Sequence, residues 1–190
     1  MAHAQTGYAK AAAAGAVSAE AGDGIQQYLT FMLGGEMFAM GILTVKEIIE
    51  YANLTEVPMM PACVRGVINL RGAVVPVADL AVRFGRNAAA VTKRTCIVIV
   101  EVTLNGERQD VGVVVDAVNE VLDIAASDIE PPPSFGARLR TDFIQGMGKV
   151  NNKFVILLNV DHVLALDELA EISEVAGDID PASVAGASAA

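Results

Sequence analysis

From Ile25 onward the chain is written in short apolar runs punctuated by glycine, asparagine and proline. Tyr28, Thr30 and Met32 alternate with Leu29, Phe31 and Leu33, the period of two expected of a strand. Gly34-Gly35 predicts a tight turn, and Met37–Met40 the return strand. Ile42–Val45 fits a short helical turn, and Glu47–Tyr51 extends again. Pro58 and Pro61, each lacking a ladder donor, bracket an irregular connection. Two apolar runs, Val64–Leu70 and Ala73–Leu80, then flank Arg71-Gly72. That pattern predicts a hairpin with Gly72 supplying the positive φ of the turn and Arg71 held at its tip. Asp79 is placed to cap a short helix, Leu80–Phe84, that stops at Gly85. A polar loop of small residues covers 86–94. Thr95–Val102 is almost continuously apolar, which marks a strand buried on both faces. Asn105-Gly106 turns the chain into Arg108–Val115. The triplet Pro131-Pro132-Pro133 gives a stiff extended loop that presents Ser134 and Phe135. Asp142–Gly146 leads into a further hairpin over Met147–Asn159, turning at Asn151-Asn152, and Asp161–Leu169 reads as a short helix.

The second half echoes the first. Residues 64–80 align with 144–160 at an offset of 80, setting Gly66 on Gly146, Val75 on Val155, Val77 on Leu157 and Asp79 on Asn159. Residues 38–50 align with 111–123 at an offset of 73, setting Ala39 on Gly112, Val45 on Val118, Glu47 on Glu120 and Ile48 on Val121. Two equivalent halves built of short strands argue for two small, similar barrels.

Residues 57–80, VPMMPACVRGVINLRGAVVPVADL, resemble the signature of the CheW family, the adaptor proteins of bacterial chemotaxis. The likeness extends to QYLTFMLGGEMFAMGILTVKEIIEY at 27–51 and DVGVVVDAVNEVL at 110–122. It continues through IEPPPSF at 129–135, FIQGMGKV at 143–150 and FVILLNVDHVL at 154–164. It covers about residues 25–166, and rests on several spaced motifs in one order rather than on any single motif. Asn159 stands where the family usually has an Asp, and the alanine-rich termini are extra. The resemblance implies an all-β fold, mainly strands with short helices, in which two SH3-like five-stranded β-barrels pack together. Whether strands are exchanged between the halves stays open at this point. The same module also occurs fused to a histidine kinase or a receiver domain. A chain of 190 residues has no room for either, which points to the stand-alone adaptor.

Composition narrows the function classes. Hydrophobic residues make up 53% of the chain, yet no run approaches the ~20 apolar residues of a membrane span. The start, AKAAAAGAVSAEAG, lacks the basic region and Leu-rich core of a signal peptide. Residues 1–24 therefore read as a disordered Ala/Gly-rich tail and 25–169 as the folded body. Residues 170–190 read as an acidic, then Ala/Ser/Gly-rich flexible tail, and the protein as cytoplasmic. The net charge of −10 is unevenly spread. Residues 25–166 carry twelve cations against fifteen anions, and residues 167–190 carry six carboxylates and no cation. A body without a basic surface argues against nucleic acid or an anionic membrane as partner. Cys63 and Cys96, 33 residues apart in apolar surroundings, read as two buried thiols rather than a disulfide or metal site.

Catalytic chemistry finds few residues to work with. His3 lies in the N-terminal tail, and His162 stands at the start of a terminal helix, with no serine in a nucleophile-elbow pattern. Gly146-Met147-Gly148-Lys149 falls short of a phosphate loop, since Phe143 stands where the first glycine belongs and Val150 where the Ser/Thr does. Asp79, Asp116 and Asp161 recur at strand ends, where Asp caps turns. No cofactor and no metal are implied, and the expectation is a non-enzyme that works through its surface.

Three surface regions stand out. Arg71 at the hairpin tip either solubilises a turn or makes planar contacts to a carboxylate, and Glu47 is its natural intramolecular partner. Ile42, Leu43, Val45 and Ile48 supply more apolar surface than one face needs. Ser134 and Phe135 either anchor a partner or leave Phe135 folded back on the second barrel. The resemblance implies that Val45, Arg65, Gly66 and Arg71 take the cytoplasmic tip of a methyl-accepting chemoreceptor. It implies that Ile42, Glu47, Ile48 and Ile49 dock the regulatory domain of the histidine kinase CheA. Ser134 and Phe135 would form a second contact in rings of adaptor and kinase. The expected function is a chemotaxis adaptor coupling receptors to the kinase, membrane-associated through receptor arrays without insertion. The alternative is a CheW-like adaptor of another array, controlling pilus motility or a non-motility output.

Overall fold

A computed structural model describes residues 24–52, 54–133 and 140–164. The strands are β1 (Ile25–Leu33), β2 (Glu36–Gly41), β3 (Val45–Glu50), β4 (Val64–Leu70), β5 (Ala73–Asp79) and β6 (Cys96–Leu104). They continue as β7 (Glu107–Val115), β8 (Ala117–Ala125), β9 (Ile129–Glu130), β10 (Ile144–Val150) and β11 (Lys153–Leu158). Helix α1 (Leu80–Arg83) follows β5 and α2 (Val160–Leu164) follows β11. The helical turn expected after Gly41 is a 3-10 turn over Ile42–Thr44. The expected N- and C-terminal tails, the end of the last helix after Leu164, and Ser134 with Phe135 lie outside the described residues.

Four hairpins turn on two residues that both have positive φ, the type I′ geometry that matches strand twist. They are Gly34-Gly35, Arg71-Gly72, Asn105-Gly106 and Asn151-Asn152. Glycine and asparagine fill seven of these eight positions because they tolerate the left-handed region. Arg71, at φ 52°, is the exception. Gly72 supplies a positive φ as expected, and Arg71 beside it, which the sequence did not mark, has one too.

The strands form two sheets, ordered β8-β1-β2-β11-β10-β9 and β3-β6-β7-β5-β4. Pairing is antiparallel except at the β2–β11 and β5–β7 joints. The question of exchange is thereby answered. The hairpin β1–β2 belongs with the C-terminal strands, and β3 to β7 make the other sheet without interruption.

The sequence repeat is a structural one. Both β4 and β10 carry a bulge at the equivalent place, between Val64 and Gly66 and between Ile144 and Gly146. The Asp79 amide donates to the Cys63 carbonyl, and 80 residues on the Asn159 amide donates to that of Phe143. The Asp79 carboxylate accepts from the Ala81 and Val82 amides, while the Asn159 side chain accepts from the His162 amide. Asn159 thus does the capping work of the Asp it replaces.

Burial explains the apolar runs. Ile68, Val75, Val77, Ile97, Ile99 and Val114 form one cluster whose members all come from β4 to β7. Tyr28, Ala39, Ile124, Val155 and Leu157 form another, drawn wholly from the first sheet. A sheet face that packs only on itself must curl, so each cluster is the interior of a small barrel. The third and largest cluster lies between the barrels and joins Leu29, Phe31 and Phe38 to Val98, Val100 and Val113. Strand β6 therefore alternates between two cores, Ile97 and Ile99 inward and Val98 and Val100 toward the other barrel, and is buried on both faces as expected. Phe31, Phe38, Phe84 and Phe143 make a chain of ring contacts at 5.8–6.1 Å through this central layer.

Candidate functional site

Strand β3 is the outer strand of its sheet, and its pairing with β6 shifts between Val45 and Glu47. Val45 sits opposite Val100 and Glu47 opposite Ile99, which leaves Lys46 as the extra residue of a bulge. The bulge re-aims three consecutive side chains. Val45 packs against the central core. The Lys46 ammonium reaches Asp110 at 2.6 Å and Glu101 at 2.8 Å. The Glu47 carboxylate accepts from Arg71 at 2.8 Å.

The Arg71–Glu47 pair is the one the sequence predicts, and its asymmetry is informative. The Glu47 side chain is 21% exposed and that of Arg71 77%. Glu47 is the anchor, and most of the guanidinium faces solvent. Lys46, Glu47, Leu70, Arg71, Ala73, Val75 and Asp110 line a groove of about 360 Å³ at the mouth of this barrel. Its lining is mixed, apolar at Leu70, Ala73 and Val75 and charged at Lys46, Glu47, Arg71 and Asp110. Arg108 extends the rim network, reaching Glu101 at 3.3 Å. The hydrogen bonds from Lys46 hold the Glu101 carboxyl below its usual range, and those to Asp110 and Glu101 raise the ammonium of Lys46.

Other residues expected at this surface are elsewhere. The Arg65 guanidinium donates to Asp79 at 2.8 Å and to the Ala89 carbonyl at 3.4 Å. Arg65 and Arg71 stand at opposite ends of β4, about 20 Å apart at strand rise. Gly66 is a backbone device: at φ 148°, a Cβ there would lie 2.5 Å from the Thr55 carbonyl oxygen. Val45 faces the central core rather than lining the groove with Arg71. The second predicted surface is also divided. Ile48 is 42% exposed. Ile42 packs on the central core and Ile49 on the barrel interior. Leu43, in the 3-10 turn before β3, is more open still at 97% exposed.

Sequence reasoning missed Lys46, Glu101 and Asp110. Nothing local marks them, since they meet only because β3 pairs with β6 and β6 with β7. It also took both cysteines as buried, whereas Cys63 is buried and Cys96 only half so, with burial raising the Cys96 thiol. Among the described residues no His/Cys/Asp/Glu group is arranged to hold a metal, and no helix is long and apolar enough to cross a membrane.

Residues 27–168 match the CheW-like domain. The chain belongs to the CheW-like family. It is 35% identical over 161 residues to the chemotaxis protein CheW of Klebsiella aerogenes, covering 84% of this chain and 95% of that protein. It is 34% identical to the CheW of Rhizobium meliloti, over 77% of this chain and 92% of the relative. The crystal structure of the scaffolding protein TtCheW from Thermoanaerobacter tengcongensis matches with a TM-score of 0.67 at 34% identity. That match covers 75% of this chain and 90% of the other. In this CheW-like domain two barrels are locked through one central core. The domain carries a charged groove on one and an outward Ile48 on the strand that borders it.

Proposed function

We propose that this CheW-like protein is a non-enzymatic chemotaxis adaptor that couples chemoreceptors to the regulatory domain of a CheA histidine kinase. The observation that carries the reading is the backbone of Arg71. The left-handed region costs an ordinary L-residue roughly 1–2 kcal/mol, and the equivalent turns use Asn or Gly. An arginine kept there, largely exposed and oriented by one carboxylate, is placed to meet something outside the molecule. The groove, with its mixed apolar and charged lining, suits a helical receptor tip, with Arg71 taking a carboxylate on it. Ile48 on the edge strand β3 and Leu43 in the 3-10 turn before it, both exposed, suit the kinase domain; Ser134 with Phe135 would supply a second ring contact. The relatives named as chemotaxis and scaffolding proteins support the same role. It works in the cytoplasm, held at the membrane by receptors.

Two surfaces on one interlocked body give the mechanism. A change in the receptor tip is passed as a change in how adaptor and kinase sit together, without chemistry in the adaptor.

The test is a pull-down of wild type, Arg71→Glu and Ile48→Glu, with a chemoreceptor signalling fragment and a CheA regulatory domain as separate baits. The reading expects Arg71→Glu to lose the receptor bait and keep the kinase, and Ile48→Glu to do the reverse. Wild type binding neither bait rules the adaptor reading out.

A further inference from the structure

At the edge of the groove, two carboxylates face each other across the ladder: Asp110, which lines the groove, and Glu101 are direct partners in the β6–β7 pairing. Like charges placed directly opposite repel. Lys46, the extra residue of the β3 bulge, reaches both, at 2.8 and 2.6 Å. Asp110 also lines the same groove as Arg71 and Glu47. The groove thus offers Arg71 two carboxylates, and Lys46 occupies one of them. Counting Arg108 on Glu101, three cations and three carboxylates make a neutral set at this mouth.

We infer that Lys46 is the positioning residue of the groove: by holding Asp110 and Glu101 together it leaves Glu47, among the described residues, as the carboxylate that pairs with Arg71, and so sets the direction of the exposed guanidinium. The inference rests on the adaptor reading and gives it a device. Adjacent bulge residues divide the work, Lys46 clamping β3 onto β6 and β7 while Glu47 turns toward the hairpin tip. With Lys46 replaced by an uncharged residue, the set carries an unbalanced negative charge. Asp110 becomes an attractive partner for Arg71, a long flexible side chain at the same rim. The guanidinium then divides its time between two carboxylates, and a docking partner must select the productive one, which weakens binding by the competent fraction.

The test uses the full chain as Lys46→Met, Lys46→Arg, Asp110→Asn and the double variant Lys46→Met/Asp110→Asn. A chemoreceptor signalling fragment is titrated against each, and the Arg71 side-chain N–H resonance is followed by NMR with no partner present. Lys46→Met is expected to weaken fragment binding about twofold and to shift the Arg71 resonance. Lys46→Arg, which keeps the charge, restores both. The double variant removes the competing carboxylate, and it is expected to restore binding and to return the Arg71 resonance to its wild-type position, which relief of the Glu101–Asp110 repulsion would not by itself do. An unmoved Arg71 resonance in Lys46→Met, or a double variant no better than the single, overturns the inference while leaving the adaptor reading intact. Wild type failing to bind the fragment while Lys46→Met still moves the Arg71 resonance overturns the adaptor reading and keeps the positioning role.

Discussion

Replacing Arg71 by Asn separates recognition from folding. Arg71 holds a left-handed backbone at φ 52°, the conformation that Asn105 and Asn151 adopt at the first position of the corresponding turns. Left-handed geometry costs an ordinary residue roughly 1–2 kcal/mol, and Asn recovers part of that through its short polar side chain. Against this stands the lost ion pair with Glu47 at 2.8 Å. With Arg71 77% exposed, that pair contributes under about 1 kcal/mol. The two effects nearly cancel, so Arg71→Asn should change stability by no more than about 1 kcal/mol, toward a more stable protein. For a body of this size, that is a rise in Tm of up to about 2–4 °C. Calorimetry and guanidinium titration measure the stability, and a receptor-fragment titration on the same samples measures binding, which should fall at least tenfold. A loss of 2 kcal/mol or more would show that Arg71 is structural, and undiminished binding would show that its strained backbone serves no partner. Either result refutes the reasoning.

Gly66→Ala should cost roughly 2–4 kcal/mol by denaturant titration, since its Cβ meets the Thr55 carbonyl at 2.5 Å and its φ is 148°; a cost below 0.5 would mean the bulge relaxes freely. Asp79→Ala removes the α1 cap and the partner of Arg65 from a site 2% exposed, and should cost about 2–4 kcal/mol, while Asp79→Asn keeps the cap and costs less. Phe38→Ala empties the centre of the aromatic chain and should cost about 3–5 kcal/mol, with both barrels melting in one calorimetric transition because they share that core. Glu101 has its carboxyl held down by Lys46, so its contribution is present above the ordinary glutamate value of about 4.3 and lost as pH falls through the lowered one. In an acid titration of stability, Glu101→Gln should flatten that part of the curve, and Lys46→Met should do the same.

Much of the fold is legible because its signals are local. Turn dipeptides placed four hairpins, Asp79 announced its own helix, and the 80-residue offset aligned positions that form equivalent bulges and caps in the two barrels. The Arg71–Glu47 pair was legible too, since it needed only β3 running beside the hairpin tip. What escaped is non-local. Strand β8 reads as a continuation of the motif at 110–122 until it is seen pairing with β1, 85 to 100 residues away in sequence. Arg65 and Gly66 looked like neighbours of Arg71 because they share its motif, but a strand carries neighbours in sequence to opposite ends of a hairpin. Arg65 and Gly66 answer to Asp79 and Thr55, partners that adjacency does not reveal.

The way the sheets divide the chain has a further consequence. One barrel runs in the order β3, β4, β5, α1, β6, β7, and the other in the order β8, β9, β10, β11, α2 and then β1, β2. The second is the first circularly permuted, opened where the other has its 85–95 loop between α1 and β6. The pseudo-symmetry therefore places the end of α2 as far from the start of β1 as that loop spans. A linker of about that length from Leu164 to Ile25, with the chain cut inside 85–95, would exchange the topologies of the two barrels and leave every strand pairing in place. In such a molecule the barrel bearing Arg71 becomes the discontinuous one, so the position of the groove relative to the chain ends is a matter of connection order and not of folding.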